Sequence, residues 1–218
     1  MCKLSEESCE VVQLILQSKN SCLKNLDLSY NDLQDSGVEK LCVGLKNSHC
    51  KLETLRLSGC CLGEKTGEQL SPILENYSLK DLDLSNNDLQ DSGVEKLYIG
   101  MRSPLCKLET LRLSGCMITE KGCSSLALAL SSNTSHLKEL DLSYNHPGDT
   151  GEKLLSDKKK QSGCKLNKLR MEHVGVIRIK SGQRKCKFTV FSLIFTAITD
   201  TNFQNFMHSE YCHYWSIT

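Results

Sequence analysis

Proline is scarce in this chain, with three residues in 218, and aromatic side chains make up only 6%, with a single tryptophan. So little proline excludes a collagen-like or proline-rich disordered chain. No apolar run approaches the ~18–20 residues that a membrane-spanning helix requires. Neither sign of charge dominates: 27 Lys and Arg against 26 Asp and Glu leave a formal net charge of +1. That balance gives no whole-molecule attraction to nucleic acid or to an acidic membrane, so neither is expected as a partner. Met1-Cys2-Lys3-Leu4-Ser5-Glu6-Glu7 is polar and acidic and does not have the form of a secretory signal. What the chain has in excess is leucine, 35 residues, and cysteine, 13 residues.

The excess is periodic. Leu26 to Leu41 reads LDLSYNDLQDSGVEKL, and Leu82 to Leu97 reads LDLSNNDLQDSGVEKL, one residue different at an offset of 56. Cys50 to Cys60, CKLETLRLSGC, recurs unchanged from Cys106 to Cys116. Each unit splits into two similar halves, opened by Leu23, Leu52, Leu79, Leu108, Leu137 and Leu166, with steps of 29, 27, 29, 29 and 29 residues. Each half carries L-x-x-L-x-L-x-x-(N/C)-x-L, and its ninth position alternates Asn31, Cys60, Asn87, Cys116, Asn145. Counting back from Asn31 lands on Cys2, so the chain is read as starting inside a repeat whose strand is missing. The sixth copy is degenerate, with Leu166, Leu169, Met171 and then Val174.

Self-similarity at such a period is the mark of a solenoid. In L-x-x-L-x-L the last two leucines alternate with polar residues, the period of a strand buried on one face. The Asn side chain can satisfy backbone groups where the chain leaves the strand, and a thiol can act there as a weak donor. A helix follows. Val38, Leu41, Cys42 and Leu45 mark one helical face. Val94, Leu97, Tyr98 and Met101 repeat it, and Cys9, Val12 and Leu16 give the same stripe earlier. Ser36-Gly37-Val38-Glu39 and Ser92-Gly93-Val94-Glu95 have the capping-box form, and Ser5 is a candidate cap. Neither a strand nor a helix of this size buries its apolar face alone, but stacked neighbours do. Strands spaced ~4.8 Å apart need less room than helices, so the stack bends with the sheet inside. The expected fold is an α/β horseshoe of about six repeats, with a parallel sheet on the concave side and helices on the convex side. The pattern resembles the leucine-rich repeat family over about residues 2–175, specifically its ribonuclease-inhibitor-type subclass with alternating Asn and Cys.

The polar position between the paired leucines projects from the sheet. Along the arc it reads Asp27, Arg56, Asp83, Arg112, Asp141, Arg170, alternating in sign at every step. The first reading of this file is an internally satisfied ion ladder; the second is a stripe that contacts a partner. Exposed pairs contribute only ~0–1 kcal/mol each. Tyr30 and Tyr144, three residues beyond Asp27 and Asp141 near the strand exits, are candidate contact anchors.

The repeat also accounts for most cysteines. Cys2, Cys60 and Cys116 hold the ninth position, Cys9, Cys42 and Cys123 fall on apolar helix positions, and Cys50, Cys106 and Cys164 each precede a strand leucine by two residues. An odd count without a signal peptide reads as a reducing, cytoplasmic compartment. Asn76-Tyr77-Ser78 and Asn133-Thr134-Ser135 match glycosylation sequons that would be incidental there. No C-x-x-C occurs, and His208, Cys212 and His213 make at most a partial metal set, so no metal is expected. Gly63-Glu64-Lys65-Thr66 superficially resembles a phosphate loop, but Glu64 stands where a Gly is required, and the repeat puts the segment in a strand-to-helix turn. No cofactor motif, nucleophile elbow or carboxylate pair emerges, so an enzyme is not expected.

The C-terminal quarter differs. Residues 158–218 hold 11 Lys and Arg against 3 Asp and Glu, whereas the first 157 hold 16 against 23. Lys158-Lys159-Lys160 falls where the fifth helix should continue, and Gly151-Glu152-Lys153-Leu154 lacks one apolar residue, so that helix is expected to be short or frayed. The basic stretch reads first as a solvated linker and second as a patch for acidic lipid or RNA. Residues 164–185, CKLNKLRMEHVGVIRIKSGQRK, resemble the junction after the last repeat in many NOD-like receptors, where a SPRY-associated segment and a SPRY domain follow. The last 33 residues hold all five Phe and one Leu, and they break the pattern. They read either as an apolar cap on the solenoid end or, preferably, as poorly ordered sequence from a truncated or misread transcript. The expected division is repeats over 1–157, a degenerate repeat and junction over 158–185, and an aromatic tail over 186–218. The resemblance implies a protein-binding module, with NOD-like receptor domains among its partners; in that family the repeats help hold the receptor inactive and contribute to sensing. Its nucleotide-binding NACHT domain has no counterpart in these residues. The alternative is a stand-alone protein like ribonuclease inhibitor, which encloses a basic enzyme in a long acidic horseshoe. The acidic first 157 residues fit that alternative; the short arc and the charge-balanced file do not.

Overall fold

A computed structural model describes residues 4–76, 78–131 and 135–172. Six three-residue strands form one parallel sheet in chain order: β1 (Asn25–Asp27), β2 (Thr54–Arg56), β3 (Asp81–Asp83), β4 (Thr110–Arg112), β5 (Glu139–Asp141) and β6 (Lys168–Arg170). The register is that of the repeat, with Leu26 opposite Leu55, then Leu82, Leu111, Leu140 and Leu169. The helices are α1 (Glu6–Gln17), α2 (Gln34–Leu45), α3 (Lys65–Asn76), α4 (Gln90–Met101), α5 (Glu120–Leu130) and α6 (Gly148–Lys160). Strands ~4.8 Å apart face helices that need ~8–10 Å, which makes the sheet the concave side of a horseshoe arc.

The core between the layers is built from the periodic leucines. Leu55, Leu57, Leu82, Leu84, Leu111 and Leu113 are fully buried, each contributing ~1.5–3 kcal/mol through lost apolar surface. The ninth-position residues run as rungs along the core edge. Asn87 donates to the carbonyls of Leu57, Leu84 and Ser85 at 2.8, 2.8 and 3.2 Å. Its Oδ1 accepts from the amides of Cys60 and Leu62 at 2.9 and 3.1 Å. Asn145 repeats this set on Leu113, Leu142, Ser143, Cys116 and Ile118. The alternating thiols continue the rungs as donors, Cys60 Sγ to Leu28 O at 3.1 Å and Cys116 Sγ to Leu84 O at 3.2 Å. The Asn and Cys readings of the sequence therefore describe one hydrogen-bonded ladder, and the buried backbone where each strand turns outward is satisfied by it.

The apolar helix stripes face the core: Val38, Leu41, Cys42, Leu45, Val94, Leu97 and Met101 are buried, and Tyr98 is half-buried beneath the Arg102 guanidinium. The predicted helix starts are corrected. α2 and α4 begin at Gln34 and Gln90, so Ser36 and Ser92 lie inside the first turn and cap nothing. Their hydroxyls cross to the preceding repeat, Ser36 to Glu6 and Ser92 to Glu64. Ser5 precedes α1 but makes no side-chain cap. At α3 the preceding repeat assists the start: Asp35 accepts from the Gly63 amide and the Thr66 hydroxyl at 2.9 and 2.6 Å. Asp91 likewise accepts from the amides of Thr119 and Gly122 at 2.8 and 3.0 Å. At α5 Thr119 is a local cap, accepting from the Lys121 amide. The fifth-repeat helix is not short. α6 has 13 residues and runs through Lys158–Lys160, because Leu155 anchors it, Gly151 lets it approach Cys123, and three lysines in its last turn complement the helix dipole.

Gly63 and Glu64 form the turn into α3, where the repeat placed them. No helix of the described residues is long and apolar enough to cross a membrane, and no group of three metal-ligating side chains occurs among them. Val174, most of the 164–185 junction, the 186–218 tail, His208, Cys212, His213, Cys2 and the Asn133 sequon lie outside the described residues, as does the Asn76 side chain.

Candidate protein-binding face

The register sets Asp27 beside Arg56, then Asp83, Arg112, Asp141 and Arg170, one contiguous file across the concave sheet. Placement matches the sequence; pairing does not. Of the neighbours in the file, only Asp141 and Arg170 come within ion-pair distance among the described residues, at 3.7 Å. Asp27, Asp83 and Asp141 each accept a hydrogen bond from the amide of the serine two residues on, Ser29, Ser85 and Ser143, at 3.0, 2.9 and 3.0 Å. Arg112 and Arg56, from the strands on either side, reach instead to Asp81, the diagonal neighbour, at 2.7 and 4.0 Å. A fully paired Asp/Arg ladder is thus replaced by a cluster centred on Asp81.

A more fully paired row does exist nearer the strand starts, and the sequence reading missed it. Lys24, Glu53 and Lys80 are joined at 3.2 and 2.7 Å, and Glu109 joins Lys138 at 2.8 Å. The signal was available, because each of these residues directly follows the leucine that opens its repeat, and their signs alternate. Pairing with lysines lowers the carboxyls of Glu53 and Glu109, while burial raises that of Asp83. Glu139 joins Lys168 at 3.0 Å in the row between.

Tyr30 and Tyr144 sit at strand exits with φ near 60°, and Asn86 holds the same position between them at 58°. The Tyr30 ring lies over Gly59, where a Cβ would stand 2.8 Å from it. Tyr144 is 49% exposed, the more available of the two rings. The ten described cysteines form no disulfide among themselves. Burial pushes the thiols of Cys9, Cys42 and Cys60 up to about 12 and that of Cys123 to about 11, so none of these is a nucleophile near neutral pH. The face presents charged and aromatic side chains across the parallel sheet.

A single sheet of in-register strands, the first five each followed by a helix and closed by an Asn or Cys rung, defines a leucine-rich repeat solenoid. The leucine-rich repeat family model matches residues 19–42, 48–68, 75–97, 105–127 and 128–156, and the chain belongs to that family. Human "NACHT, LRR and PYD domains-containing protein 12" is 44% identical over 170 residues, covering 78% of this chain and 16% of that protein. Ribonuclease inhibitor of Mus musculus is 41% identical over 169 residues, covering 77% of this chain and 37% of that protein. The chain thus spans well under half the length of these relatives. Among solved structures, the tropomodulin C-terminal domain of Caenorhabditis elegans shares the fold with a TM-score of 0.54 at 13% identity, covering 70% of this chain and 90% of that one.

Proposed function

We propose that this chain is a non-enzymatic, cytoplasmic protein-interaction module that acts as the repeat region of a NOD-like receptor does, receiving a receptor domain on its concave face. The observation that carries the reading is the 44% identity to a NACHT- and LRR-containing protein across the repeats themselves. It is supported by a face whose Arg56, Arg170 and Tyr144 side chains are not fully enclosed by the ion network. Arg and Tyr are the side chains that most often anchor interfaces. The contact set is Asp27, Arg56, Asp83, Arg112, Asp141, Arg170, Tyr30 and Tyr144; no cofactor, nucleic acid or membrane takes part.

The second reading, a ribonuclease-inhibitor-like protein, rests on 41% identity to that inhibitor. One experiment separates the two. The purified chain is titrated calorimetrically with the purified NACHT region of the human relative and, separately, with a basic pancreatic-type ribonuclease. Saturable binding to the NACHT region, weakened about tenfold by Tyr144→Ala or Arg170→Ala, is the expected result. Binding to the ribonuclease alone establishes the second reading, and binding to neither overturns both.

A further inference from the structure

The rim of the horseshoe where the strands start carries cations that the fold does not use. Lys51, Lys107 and Lys165 each stand immediately before the leucine that opens a repeat, three residues ahead of β2, β4 and β6. All three are exposed, and their side chains make no ion pair or hydrogen bond among the described residues. Ser78 and His136 hold that position in the repeats between them. The nearby acids are already taken, Glu53 by Lys24 and Lys80, and Glu109 by Lys138. The backbone fixes the spacing of the row. Two residues beyond each of these positions, the amides of Glu53, Lys80, Glu109, Lys138 and Asn167 donate to the carbonyls of Lys24, Glu53, Lys80, Glu109 and Lys138, at 2.7 to 2.8 Å. Neighbouring repeats are thus held at strand spacing right up to the rim. Two steps of ~4.8 Å put consecutive lysines of the row ~10 Å apart.

We infer that Lys51, Lys107 and Lys165 form a docking rim for an acidic segment of a partner protein, extended as a polyproline II helix with a carboxylate at every third residue. That helix has three residues per turn and rises ~3.1 Å per residue, so residues i, i+3 and i+6 lie on one side ~9.3 Å apart. The match to the lysine spacing lets one chain meet all three cations at once. A preformed polyproline II segment also loses little conformational freedom on docking. Exposed ion pairs are individually weak, so recognition depends on the three acting together, and hence on spacing. A nucleic-acid strand fits less well: its charges follow one another every ~3.4 Å in a duplex, which sets phosphates against Glu53 and Glu109 as well as against the lysines. The rim lies outside the contact set proposed for the concave face and is a second surface of the module.

The probe is the amidated peptide EPPEPPEPP carrying a neutral fluorophore, beside its isomer PPPEEEPPP, which has the same composition and charge. Each is titrated with the full chain by fluorescence anisotropy at about 50 mM salt and again at about 300 mM. The spaced peptide is expected to saturate below about 1 mM at low salt, about fivefold tighter than the isomer, and to weaken as salt rises. Lys107→Glu, in the middle of the row, weakens the spaced peptide about tenfold and abolishes the preference. Lys153→Glu makes the same change of charge on an exposed residue of α6 and leaves the preference in place. Absence of saturable binding, equal affinity for the two isomers, or equal losses from the two variants overturns the inference. Tighter binding of a labelled oligothymidylate of the same length also overturns it and assigns the rim to nucleic acid. None of these outcomes bears on the NACHT titration, so the two readings fall separately.

Discussion

Residues 26–41 and 82–97 differ at one position, yet they are not physically equivalent. Asp27 is exposed at the end of the sheet, while Asp83 is half-buried between two strands, and burial raises its carboxyl. Asn31 bonds to Leu4, Leu28 and Ser29, but Asn87 reaches a carbonyl of the preceding strand and two amides of the preceding loop as well as its own turn. The helices differ too. A Cβ at Gly44 would meet α1 at 3.0 Å, whereas one at Gly100 would stand 2.2 Å from the backbone carbonyl of Ser71. Identical letters acquire different energies because the second copy has neighbours on both sides and the first has fewer on one.

The sharpest way to break the equivalence is at the rung. Asn87→Ala takes away the side-chain partner of two buried amides and of the Leu57 carbonyl and costs about 4 kcal/mol; Asn31→Ala costs about 2 kcal/mol. Urea unfolding midpoints of the two variants measure the gap, and equal losses would show that the extra bonds of Asn87 are energetically idle.

A methyl group probes the helix spacing. Gly100→Ala is expected to cost about 3 kcal/mol, because backbone must move to admit it, and Gly44→Ala about 1 kcal/mol. Thermal unfolding of the pair tests whether the close approach of α3 and α4 is a packing constraint.

Thiol chemistry sharpens the comparison between rungs and surface. At pH 8 iodoacetamide is expected to label Cys22 and Cys61, both exposed, well before Cys9, Cys42 or Cys60. Those three are protonated there because burial holds them near 12. Mass spectrometry of timed samples reads the order, and early labelling of Cys60 would contradict its place in the ladder.

The smallest effect is in pH dependence. A carboxyl raised in the folded state binds more protons there than in the unfolded chain, so Asp83 lowers stability as pH rises through and above the ordinary carboxylate range. Asp83→Asn is therefore expected to gain stability over wild type on going from acid to neutral pH. The half-buried Glu53 has the opposite sign: its lowered carboxyl adds stability above the ordinary carboxylate range and loses it as pH falls. Urea titrations at several pH values give both slopes.

Most of this architecture was legible in the letters. Leu26, Leu28, Leu55 and Leu57 announced buried strand positions by spacing alone, and Asn31 and Cys60 announced the rungs. The candidate face was legible in position but not in pairing. That Arg112 would choose Asp81 over Asp83 depended on the diagonal approach of side chains from neighbouring strands. The Lys24–Glu53–Lys80 ladder was readable by the same alternation and was overlooked beside the more regular file. Ser36 misled because a capping box is a local pattern, and here the hydroxyl found a carboxylate in the preceding repeat.

The period of 27 to 29 residues determined the class of fold, the strand register and the composition of the core, because burial of leucine depends on spacing, which a linear chain records. Only the tertiary structure decided which charges pair and which copy of a repeated aspartate is buried. Those outcomes depend on competition among neighbours from different repeats at distances of a few ångströms, and no single repeat contains that information.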